Sequence, residues 1–330
     1  MMLRPTSMVF IILAALYAAF LAAAFLLWVW IRFRKRRFRP IEAGGEDILI
    51  VAPHQDDCVA IAGGYGIQTK EKGGNVRILY VTDGMENGSP ARRSEAAAAW
   101  AMAGVGEADI RFLDYPSLTG LTARDEIDAC IGLIEEEIRD RRPGTIFTPL
   151  YEGGHYQHDV VNYMTAEAVR RTGFKGRVFE SPEYNFYLSF RTTPEKILSG
   201  LLRFVPFAAY DYPPEPVLAD PVCRLHMTDD QLGTKKRMIA AFESQHPDML
   251  VKRFGFEDRF QEMHAYDYTK PPFDYSRSAA RFLDGLKRLP AAGVLFSKMF
   301  RWTRTIHPDA GITITRIPMR DGRSPQTGEA

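Results

Sequence analysis

The sequence predicts an α/β protein: a mostly parallel sheet with helices on both faces, preceded by one N-terminal transmembrane helix. Three observations predict it. Apolar runs of strand length recur at Asp47–Pro53, Val76–Thr82, Ile110–Leu113 and Thr145–Thr148, each separated from the next by a stretch of helical character. These runs are apolar almost throughout rather than alternating, so their strands are buried on both faces, as in a parallel sheet covered by helices. Ahead of them, Met8 to Trp30 contains no charged residue.

The elements follow in order. As a helix, Met8 to Trp30 would rise about 34 Å, enough to cross a hydrocarbon core, with Trp28 and Trp30 at an interface. Arg32, Arg34, Lys35, Arg36, Arg37 and Arg39 follow it, against Arg4 before it. The positive-inside rule then gives a single-pass membrane protein with its catalytic body on the cytoplasmic side. A cleaved signal peptide is the alternative, with Ala22 to Ala24 near a cleavage site, but such peptides carry their charge before the apolar run. The expected organisation is an anchor at 1–31, a basic juxtamembrane linker at 32–46, an α/β domain at 47–250 and a C-terminal extension at 251–330.

Helices are expected at Val59–Lys72, Ala91–Ala103, Ala123–Arg141 and Val160–Arg171, with Gly73-Gly74 and Gly104 at C-cap positions. Beyond residue 175 the prolines Pro182, Pro206, Pro213, Pro214 and Pro216 imply loops, with further helices at Asp229–Ser244 and Ser276–Arg288. Phe296–Trp302 mixes aromatic and basic side chains and suits either a membrane surface or a core, and the last twenty residues read as loose.

Composition narrows the function. With 42 basic against 41 acidic residues, no global field recruits nucleic acid. The three cysteines, Cys58, Cys130 and Cys223, are too few and too scattered for a disulfide framework or a Cys-only metal site, and fit a reducing compartment.

In a parallel sheet of Rossmann-like type, functional residues gather at the carboxyl ends of the strands. Pro53-His54-Gln55-Asp56-Asp57 falls there. Adjacent carboxylates leaving an apolar strand are costly unless a cation or hydrogen bonds satisfy them. His54 and Asp57, three apart, can reach one ion from a tight turn, while the competing role for one aspartate is to cap the next helix. Tyr151-Glu-Gly-Gly-His-Tyr-Gln-His-Asp159 leaves the strand at Thr145–Thr148 and brings His155 and His158 to the same edge. Two histidines and an aspartate with one position open is the ligand pattern of a water-activating catalytic zinc.

These residues resemble the PIG-L/LmbE-like deacetylases, zinc enzymes acting on N-acetylglucosamine-type sugars. His54-Gln-Asp-Asp57 with Gly63-Gly64 resembles that family's Pro-His-Pro-Asp-Asp-Glu loop and following Gly-Gly, and Glu152-Gly-Gly-His-Tyr-Gln-His-Asp159 resembles its His-Pro-Asp-His. Val81-Thr-Asp-Gly84, Arg93 with Glu95, Phe112-Leu-Asp-Tyr-Pro116 and Ser244-Gln245 match weaker features. The resemblance implies Zn2+ held by His54, Asp57 and His158, Asp56 as general base, and His155 beside the oxyanion. Three positions depart from the pattern: Cys58 stands for the usual Glu, Gln55 for Pro and Gln157 for Asp. Cys58 is expected as a small buried residue or, failing that, a soft ligand. Asp83 and Glu86 suit sugar hydroxyls, and Arg92 and Arg93 suit a phosphate, unless they only decorate a helix surface.

The expected activity is removal of the N-acetyl group from an N-acetyl-hexosamine, on a lipid or glycoconjugate, at the cytoplasmic membrane face. The alternatives are a tethered sugar-binding protein on a weakened scaffold and an amidase acting on another amide-linked sugar conjugate.

Overall fold

The computed structural model describes residues 5–35, 39–84, 90–116, 123–151, 156–181, 223–245, 247, 258–268, 301–307 and 311–317. Eight strands form one mixed sheet: β1 (Arg39–Ile41), β2 (Ile48–Ala52), β3 (Val76–Thr82), β4 (Ile110–Tyr115), β5 (Thr145–Pro149), β6 (Arg177–Ser181), β7 (Cys223–Leu225) and β8 (Arg259–Glu262). Their order across the sheet is β1, β7, β8, β6, β5, β2, β3, β4. From β6 to β4 every pairing is parallel, whereas β8 runs antiparallel to both β6 and β7. The antiparallel member makes the sheet mixed, yet the half that carries the motifs is the expected Rossmann-like one.

Helices cover both faces. Alternate residues of β2 divide between two cores: Ile48, Ile50 and Ala52 face one, Leu49 and Val51 the other, and all five are buried. On the first face lie α2 (Asp57–Glu71), α3 (Pro90–Ala101) and α6 (Asp229–Ala240). On the second lie α4 (Arg124–Arg141) and α5 (Tyr156–Thr172). Two buried faces are why the sequence shows continuous apolar runs instead of alternation. Helix α2 ends as its Gly-Gly pair suggested: Gly73, at φ +85°, donates to Lys70 O, and Gly74 donates to Thr69 O. That pair of bonds closes the last turn and needs the left-handed backbone that glycine adopts cheaply.

The N-terminal segment forms helix α1 (Pro5–Lys35). Among the described residues, no helix is long and apolar enough to cross a membrane. This overturns the expected transmembrane anchor and, with it, the single-pass placement with a catalytic domain on the cytoplasmic side.

The sheet also reaches past the expected boundaries, with β1 inside the 32–46 linker and β8 beyond residue 250. A separate hairpin pairs β9 (Arg301–His307) with β10 (Gly311–Ile317) antiparallel, and its second strand falls in the last twenty residues, which were expected to be loose. The alternating Ile312-Thr-Ile-Thr-Arg-Ile317 is the period-2 signal for it. The helix expected at Ser276–Arg288, and most of Phe296–Trp302, lie outside the described residues.

Candidate active site

Strand β2 has β3 on one side and β5 on the other, so successive crossovers leave it in opposite directions. The carboxyl ends of β2 and β5 therefore flank the topological switch point, where such sheets hold ligands. The loop after β2 carries His54 to Asp57, and α5, which follows β5, carries His158 in its first turn. Two short segments distant in sequence meet there because the strand order requires it.

One oxygen of Asp57 organises the meeting. Its Oδ2 accepts the His54 backbone N–H at 3.0 Å, lies 2.7 Å from His54 Nδ1 and lies 3.2 Å from His158 Nε2. The imidazole rings are 5.3 Å apart, and donor atoms of His54, Asp57 and His158 all fall within 4.8 Å of one another. Asp57 and His158 are buried and His54 is partly exposed, so the group opens to one side. Two imidazoles and a carboxylate with a free side form a donor set that fits a catalytic divalent cation such as zinc. Asp57 would be raised by burial alone, but the His158 and His54 imidazoles outweigh that and hold it well below the usual carboxylate range. It is thus held as an anion.

Asp56, the neighbouring carboxyl, is pushed the other way, raised first by burial and then by the charge of Asp57, with His54 and Arg92 opposing. Adjacent carboxyls with opposite shifts divide into a permanent anion and a group able to take a proton. Asp56 occupies the N-cap position of α2, but its side chain makes no capping bond.

The three departures each have a structural account. Gln157 is buried, with Oε1 2.6 Å from His54 Nε2, so it holds the second nitrogen of that ring. Gln55 is buried too; its Nε2 donates to Thr82 O at 3.0 Å, tying the β2 loop to the end of β3. The space for it exists because Gly84 lacks a side chain: a Cβ there would lie 1.9 Å from Gln55 Oε1. Cys58 faces the core, with Sγ 2.5 Å from Tyr80 Oη and 2.9 Å from the donating Trp100 Nε1.

Of the expected sugar and phosphate contacts, Arg92 lies near Asp56 and Asp83 and reaches Gln245. Glu95 beside it accepts from Ser244 N and Oγ, both at 2.7 Å, so the Arg92–Glu95 turn and Ser244-Gln245 form one clamp. Arg93 instead pairs with Asp114 and sits over Phe112, 4.5 Å from the ring centre. Asp83 is held at the end of β3 through its N–H to Tyr115 O. His155 and Glu86 lie outside the described residues.

Taken with the family match over the same segment, such a sheet and site support a hydrolytic deacetylase acting on amide bonds. Residues 49–169 match the profile of PIG-L, described as GlcNAc-PI de-N-acetylase, and the chain carries a domain of that family. A search of curated protein sequences finds no significant match. Among solved structures, the A40926 pseudoaglycone deacetylase Dbv21 is 17% identical, with TM-score 0.46 over 67% of this chain and 99% of its own. The N,N'-diacetylchitobiose deacetylase from Pyrococcus horikoshii is 19% identical, with TM-score 0.41 over 66% and 83%. GalB, the 4-carboxy-2-hydroxymuconate hydratase from Pseudomonas putida KT2440, is 14% identical, with TM-score 0.44 over 85% and 100%.

Proposed function

We propose that this protein hydrolyses the N-acetyl group of an N-acetyl-hexosamine unit carried on a larger conjugate, using one zinc ion held by His54, Asp57 and His158. The observation that carries the reading is the convergence of these three donors beside Asp56, an aspartate shifted opposite to its neighbour. The PIG-L profile over the same segment supports an N-acetylated amino sugar as the substrate class.

Zinc, when bound, supplies Lewis acidity toward the acetamide carbonyl and lowers the pKa of water at the site. Asp56 accepts the proton of the attacking water, a step suited to a carboxylate whose pKa is raised by burial and by the charge of Asp57. Asp57 stays ionised through this step because His158 and His54 stabilise its anion. Gln157 fixes the His54 ring by bonding its far nitrogen, orienting it as a carboxylate would but without adding charge. His155, by the family resemblance, stabilises the oxyanion as the carbonyl becomes tetrahedral. Arg92, at the rim beside Asp56 and Asp83, is placed to hold an anionic or hydroxyl-rich part of the conjugate.

The test is a screen of N-acetyl sugars, free and conjugated, for release of a primary amine. Amine release from an N-acetyl-hexosamine supports the reading. Release only from a different amide would favour the amidase alternative, and binding without release the sugar-binding one.

A further inference from the structure

Helix α2 is not straight. Ala62, at φ −147° and ψ 26°, leaves helical geometry and divides it into a first turn that carries Asp57 and a longer second segment. A straight helix would aim the N–H groups of Gly64 and Tyr65 at the carbonyls of Ala60 and Ile61. Here both donate to the carboxylate of Asp258, the Tyr65 bond measuring 2.8 Å to Oδ2. Asp258 is fully buried, comes from the residue before β8, and pairs with Lys235 of α6, which is buried as well. It caps the second segment of α2 from a distant part of the chain, as an aspartate caps a helix N-terminus locally.

Packing around this cap explains the Gly63-Gly64 pair. A Cβ on Gly64 would lie 2.4 Å from Met227 Sδ and 2.9 Å from Asp258 Oδ2. One on Gly63 would lie 2.9 Å from Val59 Cγ1 and 3.4 Å from Lys235 Cε. The glycines let the carboxylate and its lysine partner reach the broken backbone. A buried ion pair is a costly way to gain stability alone, since desolvation can exceed the attraction, so its location calls for another reason.

We infer that Asp258 and Lys235 are positioning residues for the metal centre: their cap fixes the kink at Ala62, and the kink sets the direction in which the first turn of α2 presents Asp57 to His54 and His158. This inference rests on the metal-centre reading above and goes beyond it, because neither residue touches the three ligands. Without the cap, α2 gains by straightening to satisfy its own amides, which turns Asp57 away from His158.

The test uses the full chain and the metal itself. Zinc affinity is measured by competition with a chromophoric chelator, and coordination geometry by the visible spectrum of the cobalt(II) form. Asp258→Ala is expected to lower zinc affinity about 10-fold or more and to change the cobalt spectrum. Lys235→Met/Asp258→Asn keeps an oxygen acceptor for the two amides with no unpaired buried charge, and should restore both readouts to within about 3-fold of wild type. Ile131→Val, in the core of the opposite face, controls for loss of stability alone and should move neither. If Asp258→Ala does not fold, Gly64→Ala, which pushes directly on Asp258, carries the test with the same expected direction. A folded Asp258→Ala or Gly64→Ala protein with wild-type zinc affinity and spectrum overturns the inference. A His158→Ala protein that binds zinc as tightly as wild type overturns the metal-centre reading and the inference together, a different and recognisable result.

Discussion

Asp57 Oδ2 lies 3.2 Å from His158 Nε2, and the same oxygen lies 2.7 Å from His54 Nδ1. A carboxylate buried between two imidazoles is stable as an anion only while they or a cation balance it. Removing His158 therefore removes a proposed ligand and a counter-charge together. His158→Ala is expected to lower zinc affinity by more than the ~10–100-fold typical of changes to ligand-supporting residues, measured by metal content after dialysis against a weak chelator.

Asp56 differs from its neighbour in what it should cost. In the proposed mechanism it accepts a proton rather than holding metal, so Asp56→Asn should keep stoichiometric zinc while kcat falls by about 10²–10⁴. Metal analysis and steady-state rates on the same sample check this. Loss of zinc in parallel with activity would mean that Asp56 is a ligand.

Gln157 predicts a milder effect. Its Oε1 orients the His54 ring from 2.6 Å, so Gln157→Ala should weaken zinc binding by about 10 to 100-fold. Gln157→Asp restores an acceptor with added charge and should bind zinc at least as tightly as wild type. Chelator competition on the two variants gives the comparison.

Cys58 should be inert toward metal. Burial pushes its thiol well above the ordinary range despite bonds to Tyr80 and Trp100, and its sulfur faces the core. Native protein should resist thiol reagents at this position, and Cys58→Ala should retain full zinc content. The substitution removes one of two partners from each of Tyr80 and Trp100, which keep the 3.2 Å bond from Trp100 Nε1 to Tyr80 Oη, so the cost in chemical denaturation should be about 0.5–1.5 kcal/mol.

A second buried carboxyl gives the fold a pH dependence. Burial pushes Glu180 up to about 7, against hydrogen bonds from Tyr266, Asn162 and Gln261 that favour its anion. Its folded-state pKa thus exceeds the unfolded value near 4.5. Below about 4.5 both states are protonated and nothing is lost; between about 4.5 and 7 the unfolded state releases its proton first, so stability falls as pH rises, then levels off above about 7. The loss attributable to this group is about 3 kcal/mol. Urea denaturation at pH 5 and pH 8 should show it in wild type, and Glu180→Gln should remove most of the difference.

The parallel half of the sheet and the two segments that meet in the His54, Asp57 and His158 group were legible because local pattern and burial agree there. β2 and β5 are continuous apolar runs, and the polar clusters that follow them stand out against those runs. β1, β7 and β8 left no such trace. They are three or four residues long, include Arg39, Arg224 and Arg259, and exist through pairing with segments far away in sequence. Asp258 and Lys235 were invisible for a related reason: each sits in a charged run, Glu257-Asp258-Arg259 and Lys235-Lys236-Arg237, that looks like surface until the fold buries these two against each other. Gly63-Gly64 was visible as a pair, but its cause lies in Met227 and Asp258, which no local pattern connects to it. The apolar N-terminal run was legible as a helix, and α1 forms there, but the inference from helix to membrane span did not hold among the described residues.

The most direct test of the central claim is acetate release from an N-acetyl-hexosamine conjugate by purified protein before chelation, after chelation and after zinc is returned, alongside Asp56→Ala. The account predicts activity that disappears on chelation, returns with zinc and is absent from the variant at every zinc concentration. Acetate release that persists in metal-free protein, or in Asp56→Ala at the wild-type rate, would contradict it.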